Sequence, residues 1–134
     1  MPNADTVREI YAAFGRGDIS TILGHLAPSV EWEYGFSAID VPWLQPRRGP
    51  AEVRQFFEGA LLPLEIHKFH PKAFLESGNT VVVLADFEAM VKATGRRIVE
   101  EDEVHVWHFD PAGRVTRFRH VLDTHQHLLA YKGD

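Results

Sequence analysis

Histidine is the residue type in this sequence that could carry acid–base chemistry, since the chain of 134 residues has eight histidines and no cysteine. His105 lies in a segment in which apolar and polar residues alternate, and such alternation is typical of a strand with one buried face. Trp107 shares the face of His105, and Phe118 shares the face of His120 in the next such segment. Because a short turn joins the two segments, we predict neighbouring strands with both imidazoles on the concave, apolar side.

Two imidazoles on one apolar surface could move a proton within a bound molecule. The ordinary histidine pKa of about 6.5 allows the ring to accept or donate a proton near neutral pH. A proton shift next to a carbonyl group needs a base and a hydrogen-bond donor for the enolate oxygen, and one neutral and one protonated histidine could fill these roles. The predicted catalytic residues are His105 and His120, with Asp123 either orienting one ring or capping the C-terminal segment. A purely structural role for each histidine is the competing interpretation.

Composition and charge exclude several other functions. The absence of cysteine excludes disulfides, thiolate zinc sites and cysteine nucleophiles. A formal net charge of −5 argues against nucleic acid as a partner, because phosphate binding needs a clustered positive surface. His125 and His127 have the spacing of a metal pair, but no further ligand has a telling spacing, so we predict no metal and no cofactor.

The N-terminus and the apolar runs predict the compartment. Residues 1–5 lack the basic and then apolar pattern of a signal peptide. No apolar run approaches the roughly 20 residues that span a bilayer. We therefore predict a cytoplasmic protein that contacts no membrane.

The periodicity of apolar residues predicts one domain over 1–134, with helices in its N-terminal half and long strands after them. Helical spacing predicts three helices, at 5–15, 18–26 and 50–61. Alternation bounded by glycine, asparagine and proline turns predicts five strands, at 30–34, 64–76, 79–93, 97–109 and 113–123. Residues 35–49 are predicted to form an irregular loop, and a last turn of helix is predicted near 128–131.

This order of elements predicts an α+β fold with an antiparallel sheet. Four long strands must curve to bury one face against three short helices, which leaves an apolar pocket at the open end. The residues predicted to shape that pocket are large and mostly aromatic: Trp32, Tyr34, Trp43, Phe57, Phe87, Trp107 and Phe118. Alternation on the first strand sends Glu31 and Glu33 to solvent. The outer sheet face, with Val104, Val106, Val115 and Val121, is a predicted dimer surface.

Four motifs, in order and at suitable separations, carry a resemblance to a known family. They are IYAAFGRGD at 10–18, LAPSVEW at 26–32, PRRGPAEVRQFF at 46–57 and VHVWHFDPAGRV at 104–115. Together they resemble the nuclear transport factor 2-like superfamily, in its SnoaL-like polyketide cyclase and ketosteroid isomerase branch. The resemblance implies a cone-shaped roll, in which a curved, mostly antiparallel sheet packs on three N-terminal-half helices around an apolar pocket. It also implies a homodimer.

The resemblance implies a function less specifically than a fold. The general base of ketosteroid isomerases corresponds to Trp32, and their oxyanion-hole residues correspond to Ile10 and His105, so the isomerase residues are replaced. The pocket histidine of the polyketide cyclases corresponds to His105, and their acid–base aspartate corresponds to His120. These correspondences imply a small apolar ligand and a cofactor-independent isomerase, cyclase or dehydratase. A non-catalytic ligand-binding or assembly module is the alternative.

Overall fold

The helices and strands follow the predicted order, in a computed structural model that describes residues 1–34 and 39–133. The helices are α1 (Asn3–Gly15), α2 (Ile19–Gly24), α3 (Gly49–Gln55, continued by a π-helical turn at Phe56–Ala60) and α4 (Thr124–Lys132), with a 3-10 turn at Pro42–Leu44. The strands are β1 (Leu26–Trp32), β2 (Arg47–Arg48), β3 (Leu64–Ser77), β4 (Thr80–Val91), β5 (Arg97–Phe109) and β6 (Val115–Val121). Residues 35–38 of the predicted loop lie outside the described residues. None of the described helices is both long and apolar enough to cross a bilayer.

Local sequence features explain the first two helices, both of which were predicted. The buried stripe of α1 recurs at helical spacing, at Val7, Ile10 and Ala13. α2 begins after Asp18, whose carboxylate accepts a hydrogen bond from the backbone N–H of Thr21 at 3.1 Å. This helix is shorter than predicted because the chain already enters the sheet at Leu26.

The strands form one six-stranded sheet in the order β2-β1-β6-β5-β4-β3. Strands β3 to β6 make an antiparallel meander, whereas β1 pairs parallel with β6 and antiparallel with β2. The predicted α+β class and the mostly antiparallel sheet are confirmed. The pattern missed β2, because a strand of two residues is too short to show a period.

The concave face of the sheet carries the apolar core. Alternate residues of β4 are buried along its whole length, from Val81 to Val91. Helix α1 packs against β3 and β4, and α3 packs against β1. These contacts leave an apolar pocket between the helices and the middle of the sheet, as predicted.

A β-bulge interrupts the alternation of β5 and changes which residues face the pocket. The pairing of β5 with β4 shifts between Ala85 and Phe87, and Asp102 has a φ of 61°, which is unusual for a residue other than glycine. Lys72 holds the bulge in place, because its ammonium group lies 2.8 Å from Asp86 and 2.7 Å from Asp102. As a result Glu100 and Glu103 are both buried, although they are three positions apart.

A second irregularity corrects the predicted outer face of the sheet. The pairing of β5 with β6 shifts between His108 and Phe109, and this shift turns Val115 into the core, where it is fully buried. Val121 is exposed, as expected for the outer face. The prediction was therefore wrong for Val115, because strict alternation does not continue across a bulge.

Candidate active site

The pocket is an aromatic cavity with polar groups concentrated on β5, β6 and α4. The space between its lining residues is about 670 Å³, part of which is open solvent at the mouth. The six predicted residues that line it are Trp32, Trp43, Phe57, Phe87, Trp107 and Phe118. Among the described residues none of those lining the pocket is a lysine or an arginine. The pocket therefore favours an apolar, uncharged molecule.

Tyr34 does not line this pocket, which corrects the prediction. Its hydroxyl hydrogen-bonds to Nε2 of His108 at 2.6 Å, and the Arg117 guanidinium stacks 3.7 Å from its ring. The physical reason lies one residue earlier: Glu33 has a φ of 58°, which breaks the alternation at the end of β1. The break sends Glu33 inward, where it is fully buried, so the prediction that Glu33 faces solvent was wrong.

His105 and His120 meet in the pocket. The two residues are direct partners in the β5–β6 ladder, and their ring centroids are 4.7 Å apart in an edge-on arrangement. Phe118 lies beside both rings. The geometry that the sequence pattern predicted for this pair is therefore present.

A chain of hydrogen bonds fixes the protonation of His105. The indole N–H of Trp107 donates to the hydroxyl of Tyr11 at 3.0 Å, and this hydroxyl lies 2.6 Å from Nδ1 of His105. Since burial raises the pKa of Tyr11, the hydroxyl keeps its proton and donates it to Nδ1. Nε2 then carries the ring proton and donates it to Glu103 at 2.7 Å. Burial and the charge of His120 hold the pKa of His105 well below its usual value, so the ring is neutral.

Glu33 keeps His120 protonated, in contrast to the neutral His105. One carboxylate oxygen of Glu33 accepts hydrogen bonds from Nδ1 and from the backbone N–H of His120. Burial alone would lower the pKa of His120, but the Glu33 carboxylate outweighs it and raises the pKa above its usual value. Nothing in the sequence pattern pointed to Glu33, because its orientation depends on the left-handed backbone at that residue.

A third histidine completes a buried acid–base cluster. The indole N–H of Trp43 donates to Nδ1 of His127 at 2.9 Å, so Nε2 carries the proton and donates to Glu100. Glu100 lies beside Glu103, and burial raises the pKa of Glu103 to about 8. Four further residues of the site, Tyr11, Glu100, Glu103 and His127, were not predicted from the sequence pattern. The bulge brings Glu100 beside Glu103, and the return of α4 onto the sheet brings in His127.

The same side chains lie close enough to hold a cation, but the positions of their protons do not suit metal binding. The potential ligand atoms of Glu103, His105 and His120 lie within 4.8 Å of one another, as do those of Glu100, Glu103 and His127. A histidine binds a metal through an unprotonated nitrogen. Tyr11 occupies the unprotonated nitrogen of His105, and Trp43 occupies that of His127. The donor set is that of a proton-transfer cluster rather than a metal centre.

Asp123 is not part of the cluster, which corrects its predicted role. It is exposed, and its carboxylate caps α4 by accepting a hydrogen bond from the backbone N–H of Gln126 at 3.1 Å. The chain leaves the sheet after Val121, and Asp123 is not among the residues that line the pocket. Of the two roles that the sequence left open, the structure supports the cap.

Replacement of Asp123 by alanine therefore tests the cap. We expect D123A to lower the free energy of unfolding by about 1 kcal/mol, the usual cost of losing an N-cap. Ligand binding should be unchanged, because the backbone N–H of residue 123 still donates to Glu100. Urea unfolding measures the first effect and a ligand titration the second; loss of binding in a folded D123A variant would contradict the assignment.

Comparison with known proteins identifies the family. A model of the SnoaL-like domain matches residues 7–118. The chain belongs to the SnoaL-like family. This SnoaL-like protein has the nuclear transport factor 2-like fold, so the resemblance carried by the four motifs is confirmed. No protein with a curated description matches the chain.

Three solved structures illustrate what this SnoaL-like protein is similar to. A nuclear transport factor 2-like protein of unknown function from Burkholderia pseudomallei shares 31% identity over 98% of both chains, with a TM-score of 0.79. TerC, co-crystallised with polyporic acid, shares 26% identity over 98% of this chain and 99% of its own, with a TM-score of 0.76. A Mycobacterium tuberculosis protein in complex with estradiol-17β-hemisuccinate shares 14% identity over 94% and 98% of the two chains, with a TM-score of 0.67. The last likeness concerns the fold alone.

Proposed function

We propose that this SnoaL-like protein binds a small apolar carbonyl compound and moves a proton within it, as a cofactor-independent isomerase, cyclase or dehydratase. The observation that carries the proposal is the pair of facing imidazoles, His105 and His120, whose pKa values are shifted in opposite directions within one aromatic pocket. One proton donor and one proton acceptor in an apolar cavity are what enolisation requires.

His120 is the proposed proton donor. Its Nδ1 is occupied by Glu33, and its other nitrogen has no hydrogen-bond partner among the described residues. The ring lines the pocket, so Nε2–H can donate to a carbonyl oxygen and stabilise the enolate that forms there. The buried Glu33 carboxylate balances the imidazolium charge.

His105 is the proposed proton acceptor, and Tyr11 connects it to the ligand. The Tyr11 oxygen has a second lone pair besides the one that accepts from Trp107. As the C–H bond next to the carbonyl breaks, its proton goes to the Tyr11 oxygen, and the Tyr11 hydroxyl proton goes to Nδ1 of His105. The electron pair of the C–H bond forms the enolate double bond. Return of the proton to another carbon completes an isomerisation.

The lining of the pocket supports a ring-containing, uncharged group as the part of the ligand that enters. Aromatic side chains surround the cavity, and the described residues that line it include no lysine or arginine to pair with an anionic ligand. The polyporic acid bound to TerC and the estradiol derivative bound to the mycobacterial protein agree with cyclic ligands for this fold. A cytoplasmic location and a homodimer stay predictions.

Ligand-dependent thermal stability tests the proposal. Purified protein is heated with a panel of apolar ketones, steroids, terpenoids and aromatic polyketides, each paired with an analogue in which a methylene replaces the ketone. A ligand at about 100 times its dissociation constant adds about 2.7 kcal/mol to the free energy of unfolding. We expect the ketone to stabilise the protein more than its paired analogue, because His120 donates only to the ketone. Equal stabilisation across every pair would contradict the proposed donor.

A non-catalytic binding module is the second candidate function, and the hydrogen bonding of His105 at both ring nitrogens is the observation that favours it. A histidine with a purely structural role would also form hydrogen bonds to buried groups through both ring nitrogens, as His105 does. A binder predicts ligand-dependent stabilisation with no product formed by the wild-type protein.

A further inference from the structure

The bulge in β5 buries two carboxyl groups side by side, and one of them, Glu103, lines the pocket. Glu100 and Glu103 are 8% and 5% exposed, and regular alternation would have turned one of them to solvent. Two buried carboxylates in contact repel each other strongly, so both cannot be charged. One proton must therefore be shared between them near neutral pH.

The surrounding donors decide which carboxyl group holds that proton. Glu100 accepts from Nε2–H of His127 and, at 3.0 Å, from the backbone N–H of Asp123. Glu103 accepts only from His105 through Oε1, and its buried Oε2 meets no N–H or hydroxyl donor in the part of the chain that the structure describes. The balance of donors favours Glu100 as the carboxylate and Glu103 as the acid. A protonated Glu103 can donate to Glu100, which gives the orphaned oxygen a partner.

We propose that Glu100 and Glu103 share one proton and act as a switchable counter-ion for His105. While His105 is neutral, Glu103 is the acid and accepts from Nε2–H of the ring through Oε1. When His105 gains a proton at Nδ1, the O–H bond of Glu103 breaks and an O–H bond forms on Glu100. The Glu103 carboxylate then faces the imidazolium at the 2.7 Å contact, and no proton enters or leaves the pair.

This inference deepens the proposed function, because it explains how a fully buried histidine can accept a proton. Burial alone makes His105 a poor base, since an isolated imidazolium is costly away from water. A counter-ion that appears only when the ring is charged lowers that cost without a permanent charge beside the neutral ring. Glu100 and Glu103 are thus positioning residues that act through His105. The other titratable groups that face the pair from neighbouring elements are Tyr11 on α1, Glu33 after β1, His120 on β6 and His127 on α4.

Two isosteric variants test the proposal because they should shift His105 in opposite directions. In E100Q the new amide donates to Glu103, which stays a permanent carboxylate; the pKa of His105 should rise by about 1–3 units. In E103Q the amide replaces the acid and donates to Glu100, so no carboxylate can form beside the ring and the pKa of His105 should fall below its wild-type value. E101Q is the matched control, since Glu101 is exposed on the same bulge. An NMR titration that follows the ring nitrogens of His105 measures its pKa in all three variants.

The shared proton has a second signature, in the infrared spectrum of the protein. The wild-type protein and E101Q should show the infrared carbonyl band of a buried carboxylic acid at about pH 6, below the raised pKa of Glu103. The band should disappear in both E100Q and E103Q. Its absence from the wild-type protein, its persistence in either variant, or a shift of His105 in the same direction in both would overturn the proposal. Neither measurement uses a ligand, so the result is independent of whether the proposed reaction occurs.

Discussion

Replacement of His120 by asparagine is expected to reduce turnover of a ligand found in the thermal panel by about 10²–10⁴-fold, the usual contribution of a positioned acid or base. Asparagine keeps an N–H donor near the place of Nδ1, so the bond to Glu33 can persist while the nitrogen that faces the pocket is lost. H120N should be less stable than the wild-type protein, because Glu33 loses its balancing charge, but the retained bond should keep it folded and able to bind. Steady-state kinetics with purified H120N gives the fold-change, and circular dichroism checks the fold.

The matched control is H67N. His67 is an exposed histidine on β3 that also contacts a glutamate, Glu65, at 3.1 Å, but it lies outside the pocket. Its turnover should equal that of the wild-type protein. Replacing His105 and His120 together should abolish turnover without unfolding the chain. Unchanged turnover in the double variant would remove both histidines from the mechanism, and a wild-type protein that binds without forming product would favour the binding module.

Replacement of Glu33 by glutamine is expected to have the largest effect on stability. Glu33 is fully buried against His120, and removing one partner of a buried ion pair typically costs about 3–5 kcal/mol. The reason is that His120 would lose the charge that offsets its burial, and its pKa would fall below the usual value. Urea unfolding of wild-type and E33Q proteins at about pH 6 measures the difference.

The stability difference between the wild-type protein and E33Q should depend on pH. The pKa of His120 is raised in the folded protein, so the pair stabilises the fold fully below about pH 6.5, and the stabilisation is lost as the pH rises through the raised pKa. The difference between wild-type and E33Q should therefore shrink at alkaline pH. E31Q is the control, because Glu31 contacts Arg48 and Arg117 at the surface and should contribute less than about 1 kcal/mol at any pH. A difference between wild-type and E33Q that does not change with pH would contradict the ion pair.

The sequence by itself determined the fold class and the meeting of two histidines. Regular alternation in β5 and β6, joined by a short turn, is enough to place His105 and His120 across from each other, because side chains two positions apart share a face. The same rule predicted that Trp32, Trp107 and Phe118 face the pocket. Such inferences work where the strand is regular, since period and pairing are local properties of the chain.

Only the tertiary structure decided the protonation of the site. Glu33 and Tyr34 exchanged their predicted faces because one residue adopts a left-handed backbone, and Glu100 joined Glu103 because of a bulge. Asp123 became a helix cap, while His127 came into the cluster when α4 folded back on the sheet. A bulge or a positive φ at a residue other than glycine is stabilised by contacts that are distant in sequence, such as those of Lys72 with Asp86 and Asp102. Periodicity does not contain those contacts, so the partners that set each pKa were visible only once the chain had folded.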